Sequence, residues 1–153
     1  MELREATEKD IIAIGSLFRD TILNVNSQHY TKEQVETWAS GFNDVDKWKK
    51  RIAEQYFVLA LEQDIICGFA SITPTGYIDY MFVHKDHQKK GVAKSLLSKI
   101  FEKAKKTSCN RLTANVSITA LPFFKSKGFK VMRVQKVLYK KVYFTNYHVE
   151  FFL

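Results

Sequence analysis

The spacing of apolar residues changes period along the chain, and that change divides it into a helical first third and a strand-rich remainder. Ile11, Ile14, Phe18, Ile22 and Val25 fall on one face at helical spacing, and Thr7 with Asp10 three residues on makes an N-terminal cap. This predicts a helix of about four turns, with the chain opening at Met1 directly into a charged, capped helix. Thr31 and Gln34 form a second capping box. Tyr30 and Val35 are placed to staple it, and Gly41 marks a stop, which predicts a short helix from Lys32 to about Ser40. Val45, Trp48 and Ile52 predict a third helical stretch.

From Tyr56 the pattern becomes that of strands. Tyr56 to Leu61 is an apolar run too short and too rich in β-formers for a helix, and turns at Glu62-Gln63-Asp64 and Pro74-Thr75-Gly76 separate Ile65 to Ile72 from Tyr77 to Val83. These runs read as antiparallel hairpins. Gly91 to about Lys106 carries Val92, Leu96, Leu97, Ile100, Phe101 and Ala104 on one face, so an amphipathic helix packed on a sheet is expected. Arg111 to Val116 alternates as a strand. Ser117 or Thr119 caps a short helix through Phe124 that Gly128 ends, and Val131 to Tyr139 and Val142 to Phe152 complete two further strands. The order predicts a mixed α/β (α+β) fold, a sheet with helices on its faces. No repeat or linker interrupts it, so one domain spanning 1–153 is expected.

Composition narrows the function classes. The chain has 153 residues and 46% apolar content, enough for a full core. Cys67 and Cys109 have neither CxxC spacing nor a histidine cluster, so neither a disulfide framework nor a metal site is expected. No apolar run reaches the roughly 18 residues of a membrane span, and no leader pattern follows Met1. The expectation is a reduced, cytoplasmic protein that is neither secreted nor membrane-embedded.

The net charge of +8 points to polyanions or a phosphorylated ligand. Lysines gather at 85–94, 99–106 and 125–141, and only the first group meets a phosphate-type turn. There Gln88-x-x-Gly91-x-Ala93 lies between a strand and a helix, where unpaired amides stand at the positive end of the helix dipole. Gly91 admits a close approach, Val92 and Ala93 open the helix, and Lys89, Lys90 and Lys94 add charge. A pyrophosphate fits this set.

With these elements in order the chain resembles the GNAT superfamily of N-acetyltransferases, specifically a bacterial subgroup of small enzymes. Cys67-Gly68-Phe69 to Ile72, Tyr80 to Val83, Gln88 to Ala93 and Ala120-x-x-Phe123-Phe124-x-x-x-Gly128-Phe129 match its successive motifs. Tyr30-Thr31-Lys32-Glu33-Gln34-x-x-x-Trp38 and Thr145-Asn146-Tyr147 match the subgroup. The resemblance implies a central mixed, mostly antiparallel sheet with helices on both faces. It implies acetyl-CoA as co-substrate, its pyrophosphate on residues 88–93, and its pantetheine arm paired with main-chain groups around Phe82 and Val83 by strand addition. The family's frequent acid tyrosine falls on Phe124, and a frequent asparagine falls on Ser117. A thiolate is a competent leaving group without a proton, so the loss weakens the assignment of an acid more than that of an enzyme.

Asp79 is the only acidic residue of the cofactor strand, which makes it a candidate base or amine anchor; an ion pair or an outward position is the structural alternative. By simple alternation Tyr77 and Met81 share its face, and Tyr77 is a candidate for orienting substrate. Tyr147 is a candidate to stand near the hydroxyl missing at Phe124. Tyr30 and Trp38 are candidate acceptor contacts, although aromatics at helical spacing commonly serve the core. His84 and His87 are expected to be exposed titrating groups. The function expected is transfer of acetyl from acetyl-CoA to a primary amine of a small molecule or protein, by a monomer or homodimer. An acyl-CoA-binding sensor or pseudo-enzyme without turnover is the alternative. A nucleic-acid module would account for the charge but leaves the Gln88 turn unexplained and lacks aromatics interleaved with lysines.

Overall fold

The computed structural model describes residues 1–153. In chain order the elements are β1 (Glu2–Glu5), α1 (Ile11–Asn24), α2 (Lys32–Ala39), α3 (Val45–Glu54), β2 (Tyr56–Glu62), β3 (Ile65–Ile72) and β4 (Tyr77–Val83). They continue with α4 (Val92–Lys106), β5 (Arg111–Ser117), α5 (Leu121–Ser126), β6 (Lys130–Tyr139) and β7 (Val142–Phe152). The strands form one sheet in the order β1-β2-β3-β4-β5-β7-β6. Every neighbouring pair is antiparallel except β4 and β5.

Both faces are covered, which is why β2 and β3 read as continuous apolar runs. Phe57, Leu59 and Phe69 face α1, α2 and α3 and join Ile14, Phe18, Ile22 and Trp48 in one core. Val58, Ala60 and Ala70 face α4 and α5 and join Leu96, Ile100, Leu112, Phe124 and Val149 in the other. Each large aliphatic or aromatic side chain so buried contributes roughly 1.5–3 kcal/mol.

The chain does not open in a helix. Residues 2–5 form an edge strand with Glu2 opposite Leu61 and Glu5 opposite Val58, too short for its alternation to announce it. Its anchor is electrostatic: Arg4 donates to both carboxylate oxygens of Asp10 at 3.0 Å, and Asp10 also accepts from the Thr7 amide at 2.8 Å. The Arg4 guanidinium holds the Asp10 carboxyl below its ordinary value, outweighing burial, with Thr7 assisting.

Two irregularities create the site. Pairing of β4 with β5 is confined to Tyr77–Thr113 and Ile78–Ala114, after which the strands run on to Val83 and Ser117 unpaired with each other. On its other side β4 has a bulge. Ser71 lies opposite Tyr80 and Ile72 opposite Ile78, so Asp79 has no partner on β3. The extra residue shifts the alternation, sending Met81 and Val83 toward the α4 core while Tyr80 and Phe82 join the α1–α3 core. Met81 therefore does not share a face with Asp79, contrary to the simple alternation of the sequence.

Candidate active site

The divergence of β4 and β5 opens a cleft of about 750 Å³ that runs from the start of α4 to the ends of α2 and α3. At its α4 end Gly91 caps the helix with φ +83°, a left-handed conformation favourable to glycine. The first bond of α4 to this cap runs from the Ser95 amide to the Gly91 carbonyl, so the amides of Val92, Ala93 and Lys94 have no helical acceptor. A Cβ placed on Gly91 would meet nothing within 4 Å. The glycine is thus required by backbone conformation and leaves open space where an anion can approach. Gln88, Lys89, Val92, Ala93 and Lys94 line the cleft with it; Lys90 is exposed and stands outside the lining.

Gln88 also braces the strand, donating from Nε2 to the Val83 carbonyl at 2.6 Å, which Thr21 reaches from α1 at 3.3 Å. That carbonyl already has two protein donors. The remaining main-chain groups of β4 beyond Ile78 lack a β5 partner on the cleft side, as strand addition by an extended ligand requires.

Ser117 and Phe124 bound the cleft from the β5 side. Ser117 Oγ accepts from the Ala120 amide at 3.0 Å and from Asn26 Nδ2 at 3.4 Å. The carboxamide absent from position 117 is therefore brought beside it by Asn26, which is distant in sequence. The Phe124 ring is buried against Phe123 and Phe129 and has no proton to offer.

At the opposite end Asp79 projects from its bulge to α3. Its Oδ2 accepts from Gln55 Nε2 at 2.8 Å and lies 3.1 Å from Arg51 Nε, and no protein donor bonds Oδ1. Tyr77 stands nearby and accepts from Asn115 Nδ2 at 3.4 Å. Burial pushes its hydroxyl above the ordinary tyrosine value, with the Asp79 charge adding to the effect. The same causes, in the same order, push Tyr80 up to about 12.

Residues 26–151 match the GNAT acetyltransferase domain. The chain belongs to the GNAT acetyltransferase family. Escherichia coli K12 YafP, an uncharacterized N-acetyltransferase, is 30% identical over 151 residues, covering 99% of this chain and 95% of that protein. A GCN5-related N-acetyltransferase of Rhodopseudomonas palustris superposes with a TM-score of 0.96 at 26% identity, over 99% of this chain and 95% of that one. The PaiA N-acetyltransferase of Thermoplasma acidophilum, solved with coenzyme A, superposes with a TM-score of 0.84 at 16% identity, over 99% and 98% of the two chains. Membership makes the protein an acetyl-CoA-dependent acyltransferase. Its central sheet, mostly antiparallel with helices on both faces, is that of its relatives.

Within this acetyltransferase the sequence-derived candidates separate. Asp79, Tyr77, Tyr30, Trp38, Phe82, Val83, Ser117, Phe124 and the 88–94 turn meet on one cleft, apart from Lys90. Tyr147 does not join them, because it lies on the α4-facing side of β7, packed on the core that holds Phe124. The Tyr30 hydroxyl donates to the Thr145 carbonyl at 2.6 Å and accepts from the Ile118 amide at 2.9 Å, bolting the end of β5 to β7. Its hydrogen-bonding capacity is largely used by the fold. Trp38 packs edge-on to Tyr30, Phe82 and Phe144 and forms the aromatic wall of the acceptor end.

Several cleft residues escaped the sequence reading. His87 lines the cleft half-buried, and its Nδ1 has no partner; it is not the exposed group its lysine-rich loop implies. Lys47 and Arg51 line the acceptor end from α3, and their i, i+4 spacing was the available signal. Tyr139 arrives from the tip of the β6–β7 hairpin, which Gln34 ties down by donating to the Tyr143 carbonyl at 2.8 Å. No helix is long and apolar enough to cross a membrane.

Proposed function

We propose that the protein, as one N-acetyltransferase domain spanning 1–153, transfers acetyl from acetyl-CoA to a primary amine of a small molecule or protein by direct attack. The observation that carries this reading is the sharing of one cleft by an anion cradle at residues 88–94 and the unpartnered Oδ1 of Asp79. The pyrophosphate lies on the cradle amides, with Gln88, Lys89 and Lys94 around it, and the pantetheine arm runs along Phe82 and Val83. Ser117 and Phe124 bound the thioester from the β5 side. The amine nitrogen then bonds to the thioester carbonyl carbon, the carbon–sulfur bond breaks, and the electron pair leaves on sulfur as CoA thiolate.

An amine attacking at neutral pH must shed a proton, and Asp79 Oδ1 receives it directly or through a water. Gln55 and Arg51 fix the carboxylate for this role through its other oxygen. Tyr77, raised by burial, keeps its proton at neutral pH and offers a donor that orients the acceptor. Free Cys67 and Cys109 agree with a reducing, cytoplasmic setting.

Asp79→Asn keeps the shape and removes the basicity. A base loses about 10²–10⁴-fold in kcat/KM with acetyl-CoA affinity intact, and an anchor mainly raises the acceptor KM. Near-normal kinetics with a lowered melting temperature would reduce Asp79 to a structural ion pair. Thiol release from acetyl-CoA across an amine panel tests the transfer itself.

A further inference from the structure

The acceptor end of the cleft holds two cations that the protein leaves short of acceptors. Lys47 is half-buried, and its ammonium has no carboxylate within 4.0 Å and no hydrogen-bond acceptor. Its near neighbours are the rings of Trp48 at 5.0 Å and Phe18 at 5.4 Å. Ring faces attract a cation but do not satisfy three N–H donors. Arg51, one turn further along α3, lies 3.1 Å from Asp79 Oδ2 through Nε, and that buried Nε–H has no hydrogen-bond partner. A cation partly withdrawn from water and without a protein anion gains when a ligand anion arrives. Burial lowers the Lys47 ammonium from its ordinary value; Arg51 and Lys140 act in the same sense, and Asp44 and Asp79 oppose it.

The surroundings define the rest of the ligand. Trp38, Phe82, Tyr139 and Phe144 line the same end of the cleft, a wall that favours an apolar or aromatic body. Asp79 and Tyr77 line the same cleft beside the point where β4 and β5 part.

We infer that the acceptor is a small amine that also carries a carboxylate on an apolar body, with Lys47 and Arg51 taking the carboxylate and the aromatic wall taking the body. The inference rests on the amine-transfer reading for its chemistry, but the anion site has a readout of its own. Phenylalanine and phenethylamine share one body and one amine and differ by a carboxylate, as do their acetylated products.

The experiment titrates N-acetylphenylalanine and N-acetylphenethylamine into the enzyme with CoA present, followed by tryptophan fluorescence, and separately measures thiol release with the two parent amines. The carboxylate member should bind about 10- to 100-fold more tightly, the range for a hydrogen bond to a charged group. Lys47→Met, nearly isosteric, should collapse that ratio while acetyl-CoA affinity holds, and Lys47→Gln serves should the first variant fail to fold. Equal binding of the two products, or a ratio unchanged in a folded Lys47 variant, overturns the anion site whether or not turnover occurs. A preserved binding ratio with no thiol release supports the anion site and counts against the transfer reading.

Discussion

Replacing Gly91 by valine separates ligand binding from folding, because the structure assigns the two effects different magnitudes. At φ +83° an L-residue in the left-handed region costs about 1–2 kcal/mol, and a β-branched one lies at the upper end or beyond. No atom within 4 Å opposes a new Cβ, so no packing clash adds to that cost. For a domain of this size the melting temperature should fall by about 2–4 °C per kcal/mol, leaving a folded protein. The added side chain occupies the space through which an anion reaches the amides of Val92, Ala93 and Lys94. Each charge-assisted hydrogen bond lost removes about 1.5–3 kcal/mol, or roughly 10- to 100-fold in affinity. Calorimetric titration with acetyl-CoA, beside a melting curve, reads both quantities. Gly68→Ala is the contrasting control. Its Cβ would stand 2.8 Å from Val92 Cγ1 and 3.0 Å from the Phe82 carbonyl, so it should cost about 1–3 kcal/mol of stability through overpacking between β3 and α4. Unchanged acetyl-CoA affinity in a folded Gly91→Val protein would refute the cradle.

Tyr30→Phe should lower stability by about 1–3 kcal/mol, because the Ile118 amide and the Thr145 carbonyl both lose their partner. An unchanged melting curve with a raised acceptor KM would instead make the hydroxyl a substrate contact. Phe124→Tyr should change kcat only modestly, and a gain of several orders of magnitude would mean that the wild type lacks an acid it needs. Asp10, lowered by Arg4, contributes stability that is full above the ordinary carboxylate value and is lost as pH falls through its lower folded value. The melting-temperature gap between wild type and Asp10→Asn should therefore be open at about pH 7 and close as the pH drops below about 4. A gap independent of pH would refute the ion-pair account.

The amino-acid sequence by itself determined the elements whose signals are local. The capping box of Thr31 and Gln34, the apolar face of α4 and the glycine between β4 and α4 each act within a few residues of one another, so spacing alone announces them. The anion cradle was legible for the same reason, since a helix N-terminus and a left-handed glycine are both short-range features. Only the tertiary structure decided what happens between elements. β1 owes its place to Arg4 reaching Asp10 and to pairing with β2, neither of which leaves a mark in four residues. The bulge at Asp79 is invisible in a run with apolar residues on both faces of the strand, because a sheet covered on both sides erases the alternation that would reveal a slip. That single extra residue turns Asp79 toward Arg51 and Gln55 and removes Met81 from its face. The separation of Tyr147 from the cleft, the bolt made by the Tyr30 hydroxyl, and the meeting of Lys47 and Arg51 with an aromatic wall from α2, β4, β6 and β7 depend likewise on which sheet face each strand presents, and packing alone determines that.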